Sequence, residues 1–164
     1  MQTFSSHNTL PVSPAIYYPT LECKARRVVH QGGQWSGKTV NILAVLATRA
    51  ASEKNKVITV VAASLPHLKR GALRDFENYI YPYFKRLISN HNKTDNTFVF
   101  KTGSIIEFKS FETEFDARGA KRDYLYLNEA NSIDYMIFYQ LDSRTTTQSI
   151  IDYNPTAPFW AGLS

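Results

Sequence analysis

At 164 residues the chain is long enough for one domain with a buried core, and 43% hydrophobic with 13% aromatic residues excludes a disordered segment. Nineteen Lys and Arg against 14 Asp and Glu give +5, compatible with a nucleic-acid partner and equally with an ordinary solvated basic surface. The single cysteine, Cys23, excludes an intramolecular disulfide framework, and no apolar run reaches the ~20 residues of a membrane span, so a soluble intracellular protein is expected.

Residues 1–24 form the first predicted unit, an extended segment punctuated by Pro11, Pro14 and Pro19. Within it, Tyr17-Tyr18 either stacks on a nucleotide base or covers a sheet edge. A short strand follows over Arg26–His30. It leads into Gly32-Gly33-Gln34-Trp35-Ser36-Gly37-Lys38-Thr39, which has the form G-x-x-x-x-G-K-T. A Gly-free, Pro-free periodic run from Val40 to Ala51 then predicts a helix burying Val40, Leu43, Leu46, Ala47 and Ala50. Strand, glycine-rich turn and helix together make a phosphate cradle. The glycines let successive N–H groups close around an anion, and the helix N-terminus adds partial positive charge. In that cradle Lys38 reaches the β- and γ-phosphates and the Thr39 hydroxyl completes the shell of a Mg²⁺ ion.

The next apolar, β-branched run, Val57–Ala63, suits a strand buried on both faces. Ser64 reads as a helix N-cap with Pro66 in the first turn, and Leu65, Leu68, Leu73, Phe76, Ile80, Phe84 and Leu87 recur at helical spacing with a break at Pro82. Ser89–Asn96 reads as a polar loop. Phe98, Phe100, Ile106 and Phe108 alternate around Lys101-Thr102-Gly103-Ser104 as a β-hairpin. Glu112–Lys121 fits a loop or short helix, where Arg118, Lys121 and Arg122 form a small basic cluster that either touches phosphate or is simply solvated. A buried strand, Asp123–Glu129, precedes a helix capped by Ser132 with Ile133, Met136, Ile137 and Leu141 inward, and Gln148–Asp152 is the last strand, stopped by Asn154-Pro155. Strands alternating with helices predict an α/β sandwich with a mostly parallel sheet.

Hydrolysis needs a metal shell and a water activator besides the cradle. Glu129, at the end of an apolar strand expected to neighbour the cradle, is the candidate that orients water or takes its proton. Asn128 stands where an Asp is usual. Its amide oxygen accepts from a metal-bound water without adding negative charge, which weakens the metal site unless Asp152 contributes. Asn154 is either a γ-phosphate sensor or a plain Asn-Pro turn.

Three blocks in order carry a resemblance: Gly32–Thr39; Arg118-Gly-Ala-Lys-Arg-Asp-x-Leu-x-Leu-Asn-Glu-Ala-Asn131; and Asp152-Tyr-Asn-Pro-Thr156 with Phe159-Trp160, preceded by Gln140-Leu141 and Arg144-Thr145. Over about residues 25–160 the chain resembles the large terminase subunit of tailed bacteriophages, the ATP-driven motor that packages double-stranded DNA into a procapsid. The resemblance implies a P-loop NTPase of the RecA-like, added-strand type, a three-layer α/β sandwich with a mostly parallel central sheet. It makes Gly32, Gly33, Gln34, Trp35, Ser36, Gly37, Lys38 and Thr39 the Walker A loop, and Lys38 and Glu129 the catalytic pair. Thr39, and Asn128 through water, become the metal residues, and Asp152 and Asn154 the sensor that couples hydrolysis to movement.

The implied cofactors are ATP and Mg²⁺. The implied partners are double-stranded phage DNA, the portal of the procapsid, the small terminase subunit and further copies in a ring on the portal. The implied setting is the host cytoplasm, with no membrane. Residues 25–164 are then expected to be a truncated ATPase domain, lacking part of its lid region. The nuclease domain that family members carry C-terminally is absent from this chain, and nuclease activity is not expected of it. Many relatives have Arg in the Walker A loop where this chain has Gln34, which passes charge stabilisation to Arg118, Arg144 or a neighbouring subunit. Two other readings stay open: a module that binds nucleotide with little hydrolysis, and another DNA-dependent P-loop ATPase of helicase type.

Overall fold

Continuous β-branched and aromatic runs become the middle of a seven-stranded sheet. The computed structural model describes residues 9–32, 37–156 and 158–160. Its strands are β1 (Arg27–Gln31), β2 (Val57–Ala62), β3 (Ile88–Asn92), β4 (Thr97–Phe100), β5 (Ile105–Ser110), β6 (Arg122–Leu127) and β7 (Thr145–Tyr153), in the spatial order β1-β7-β6-β2-β5-β4-β3. Pairs from β1 through β5 are parallel, and β5-β4-β3 is antiparallel. The cradle strand β1 therefore neighbours β7, not β6 as the sequence suggested. The last strand in sequence is inserted between the other two, an added-strand order.

Alternation along these strands feeds two cores. Ile58, Val60, Tyr124, Tyr126 and Ile150 meet helix α2 (Lys38–Ser52) and Phe76 on one face. Val61, Leu125, Leu127 and Ile151 meet α7 (Tyr135–Ser143) on the other. A strand buried on both faces needs no polar alternation, which is why β2 and residues 124–127 of β6 read as nearly continuous apolar runs. The result is a helix–sheet–helix sandwich.

Four local expectations are corrected. Residues expected to be extended form α1 (Pro14–Glu22), helical despite the internal Pro19. Pro14 suits a first turn, and α1 is tied to α2 by Tyr17 hydroxyl–Thr48 Oγ1 at 2.7 Å and by the buried Arg49 guanidinium donating to Thr20 O at 3.2 Å. Tyr17 is thus a packing residue, and neither it nor Tyr18 lines the cleft described below. The first half of the predicted loop at Ser89–Asn96 is instead the edge strand β3, where backbone pairing with β4 stabilises polar side chains, while residues 93–96 form a turn as expected. The helical run after Ser64 is divided into α3 (Leu65–Arg70), α4 (Ala72–Asp75), a π-helical turn (Phe76–Ile80) and α5 (Tyr81–Phe84). The Ser64 hydroxyl does cap α3, accepting from His67 N at 3.3 Å. Finally, α7 is capped by Asp134, which accepts from Met136 N at 2.7 Å; Ser132 closes a preceding 3₁₀ turn, and Met136 faces outward.

The basic cluster also separates. After the short helix α6 (Glu114–Ala117), Arg122 turns into the core and donates to Thr59 Oγ1 at 3.0 Å and Leu141 O at 2.9 Å, leaving Lys121 exposed.

Candidate functional site

The parallel register brings the carboxyl ends of β1, β7, β6 and β2 to one edge. His30 pairs with Asp152, Gln31 with Tyr153, and Val61 with Leu127. From β1 the chain passes Gly32, whose N–H donates to Tyr153 O at 3.3 Å. It enters α2 at Gly37, the N-cap, in the left-handed region at φ +76°, where a side chain would be strained. Gly37 O accepts from both Asn41 N (3.1 Å) and Asn41 Nδ2 (2.7 Å), which fixes the entry to the helix. Lys38 and Thr39 are therefore the first residues of α2, at the positive end of a 15-residue helix. Lys38 Nζ donates to Gly32 O and, at 3.0 Å, to Tyr153 O, so the ammonium sits over the place where the loop leaves the sheet. Gly33, Gln34, Trp35 and Ser36 lie outside the described residues.

Beyond β6 the strand-end residues converge on Asp152, which is 2% exposed. Its carboxylate accepts from the Tyr126 hydroxyl, from Asn128 Nδ2 at 3.1 Å and from Glu129 N at 2.6 Å. Asn128 Nδ2 also lies 3.2 Å from Thr39 Oγ1, joining this network to the cradle. The amide nitrogen, not the oxygen, is thus turned toward Thr39, an orientation set by the neighbouring carboxylate acceptor. Burial, and then the charge and hydrogen bond of Asp152, push the Tyr126 hydroxyl well above the ordinary phenol range, so it remains a donor. Burial lowers the pKa of His30, outweighing the attraction of Asp152, and favours the neutral ring. Glu129 itself adopts φ 53°, ψ 56°, a left-handed conformation that is uncommon for a residue with a Cβ. Its backbone is tethered to Asp152 while its side chain is exposed at the mouth of the site.

Lys38, Thr39, Asn128, Glu129, Asp152 and Asn154 all line one cleft of about 650 Å³, together with Gly32 and Gly37. The Asn154 side chain serves a local turn, accepting from Thr156 N at 3.0 Å and Thr156 Oγ1 at 2.9 Å, while its backbone N–H is held by Asn131 Oδ1 at 2.7 Å. Arg118 and Arg144 do not line the cleft. Arg118 reaches Glu114 at 3.4 Å and lies over the Phe115 ring, and Arg144 donates to Gln140 Oε1 at 2.9 Å next to the amino end of β7. Sequence reasoning missed three participants: Tyr126, and Arg70 and Arg74, which line the cleft from the α3–α4 side. Tyr126 was recoverable, because residues two apart on a strand share a face and Asn128 was already a candidate. The arginines gave no local signal.

The hydroxyl of Thr39 and the buried carboxylate of Asp152, bridged by Asn128, are hard oxygen donors of the type Mg²⁺ takes beside phosphate oxygens and water. These residues fit a magnesium–nucleotide complex.

No protein-family model and no curated protein matches the sequence. Solved structures do. The Thermus phage P74-26 large terminase ATPase domain superposes with a TM-score of 0.70 at 15% identity, over 92% of this chain and 68% of that one. The chain has the RecA-like P-loop fold of a phage large-terminase ATPase domain. The large terminase of a thermophilic bacteriophage matches with a TM-score of 0.64 at 15% identity, covering 79% of this chain and 34% of that one. The HK97 bacteriophage large terminase gives 0.61 at 14% identity, over 85% and 31%. The chain therefore spans about a third of those two large terminases. Complexes of the thermophilic phage terminase with ADP and with ATP-γ-S are also similar, with TM-scores of 0.56 and 0.57. Among the described residues no helix is long and apolar enough to cross a membrane.

Proposed function

We propose that this chain is the ATP-binding and ATP-hydrolysing module of a phage large terminase, driving double-stranded DNA into a procapsid. The observation that carries the reading is the meeting of Lys38 and Thr39 with Asn128, Glu129 and Asp152 in one cleft at the carboxyl edge of the sheet. In this reading Gly32–Thr39 is the Walker A loop. Lys38 exchanges its two carbonyl contacts for the β- and γ-phosphate oxygens, while the α2 N-terminus faces the same charge. Thr39, with Asn128 and Asp152 behind it, holds Mg²⁺, which neutralises charge on the phosphates when bound. Glu129 orients the attacking water and accepts its proton. Asp152 holds the Glu129 main chain through its N–H, which sets where that carboxylate points. Asn154, adjoining on the same edge, is the residue that relays loss of the terminal phosphate to the segment after β7.

DNA, the portal, the small terminase subunit and a ring of copies are the partners of this reading. Arg118, exposed and away from its own cleft, is available to a neighbouring copy. A second reading, nucleotide binding with little turnover, is favoured by one feature: the group facing Thr39 is the amide nitrogen of Asn128 and brings no charge. Titration with a fluorescent ATP analogue tests the binding half. Lys38→Ala should weaken the complex by about a hundredfold, the loss of one charge-assisted phosphate clamp. Unchanged affinity in Lys38→Ala would sink the assignment of the cradle.

A further inference from the structure

An ATP-hydrolysing site needs cationic charge near the terminal phosphate, and the residues assigned so far supply little. Lys38 is the one cation among them. Asn128 is neutral, while Glu129, Asp152 and Asp75 add acid to the cleft lining. The two arginines suggested by the sequence lie outside the cleft, Arg118 near Glu114 and Arg144 on Gln140.

Two other arginines lie inside it. Arg70 ends α3 and Arg74 belongs to α4, with Gly71 forming the corner between them. The strand order sets β1 and its cradle on one side of β7 and β6, and β2 with the α3–α4 corner on the other. The cleft thus lies over β7 and β6, between Lys38 and the two arginines. The corner is pressed against the site by a residue without a side chain. A Cβ on Gly71 would stand 2.9 Å from His67 O and 3.7 Å from Asn128 Oδ1. Both arginine side chains are available. Arg70 makes no hydrogen bond or ion pair among the described residues, and Arg74 has only a 3.4 Å contact to its neighbour Asp75. Arg74 is exposed, at 59% of its side-chain surface, which leaves it free to move onto a ligand.

We propose that Arg70 and Arg74 are a second phosphate-binding arm, supplied in cis, that engages the γ-phosphate of the bound nucleoside triphosphate. The guanidinium fork matches phosphate oxygens in pairs and keeps its charge at any working pH. Two such groups opposite Lys38 enclose the triphosphate from both sides of the cleft. Arg74 also offsets the Asp75 carboxylate, which would otherwise repel the same anion. This chain then carries its own discriminator of ATP from ADP, independent of residue 34. The inference rests on the nucleotide reading of the cleft given above.

The test compares dissociation constants for fluorescent ATP and ADP analogues with Mg²⁺, on the full chain. It uses the wild type, Arg70→Gln, Arg74→Gln, the double variant and Lys38→Ala, with duplex-DNA binding measured in parallel. These are surface changes, and a thermal melt of each variant checks that folding is unaltered. A charge-assisted phosphate contact is worth enough that the double variant should bind ATP about tenfold or more weakly while ADP affinity changes less than about threefold. Restoring charge with Arg70→Lys should recover part of the loss. The inference fails if ATP and ADP weaken equally or not at all while Lys38→Ala still weakens both. It fails as well if the double variant loses DNA affinity with an unchanged ATP-to-ADP ratio, which would assign the arginines to DNA. If the wild type binds neither nucleotide, the reading of the cleft falls and this inference falls with it.

Discussion

Between Thr39 and Glu129 the contacts run through one buried carboxylate. Asp152 receives the Tyr126 hydroxyl, the Asn128 amide and the Glu129 main chain, so the buried negative charge of this edge resides on β7, one strand from its expected position on β6. This placement changes what a substitution at Asn128 should do. Asn128→Asp matches the commoner residue of related sites, yet its new carboxylate would stand where an amide nitrogen now lies 3.1 Å from Asp152 Oδ2. Two carboxylates that close cannot both ionise freely, and one folded-state pKa rises. An acid raised in the folded state costs stability as pH climbs from its unfolded toward its folded value, and the loss is recovered on acidification. Asn128→Asp should therefore lose about 1–3 kcal/mol at pH 8, with a smaller loss at pH 5, in denaturant melts at both. A variant as stable as the parent at pH 8 would show that the two positions are not coupled. The sequence exposed Asn128, Glu129 and Asp152 individually. The contacts among them depend on which strands are neighbours, and that is a property of topology.

At the scale of elements, the segment after β2 shows how local pattern and tertiary contact divide the information. Apolar residues at helical spacing correctly identified a helical region, and Leu68, Phe76 and Ile80 are fully buried. The break expected from Pro82 is present, with Pro82 in the first turn of α5 directly after the π-helical turn Phe76–Ile80, and a second break falls at Gly71, where the corner approaches Asn128, far away in sequence. Gly71→Ala should cost about 1–3 kcal/mol, the usual penalty of overpacking, since its methyl meets the His67 carbonyl. The change should also move Arg70 relative to Lys38. Chemical denaturation reads the first effect, and a stability equal to wild type would mean the corner is not tightly held. The same logic covers the elements missed from sequence. Strand β3 is polar because it is an edge, and α1 contains Pro19 because its contacts to α2 offset the lost helical hydrogen bond. For α7 the sequence pointed to Ser132, and only the Asp134–Met136 hydrogen bond moves the cap two residues on.

For the whole molecule, alternation of apolar strands with helices was enough to predict a parallel α/β sandwich, and the motif order suggested its added-strand type. The spatial order β1-β7-β6-β2 was not legible, because it arises from non-local pairing. That order places both His30 and Asp152 beneath the cradle. His30 and His91, each with its pKa lowered from 6.5 chiefly by burial, favour the neutral form in the fold. Their folded values lie below the unfolded one, so their contribution is complete above pH 6.5 and is lost as pH falls toward the folded values. Asp75, raised by burial, works in the opposite sense. The melting temperature should consequently fall between pH 7 and 5, with a shallower slope in His30→Gln; an unaltered slope would remove His30 from the account.

The central claim is that this edge hydrolyses ATP with Glu129 as the water activator. Phosphate release in single-turnover reactions, with Mg²⁺ and with duplex DNA present, tests it most directly. Glu129→Gln should slow release by about 10²-fold or more, in the range for loss of a general base, while bound ATP persists on the protein. Release from Glu129→Gln at the wild-type rate would contradict the account.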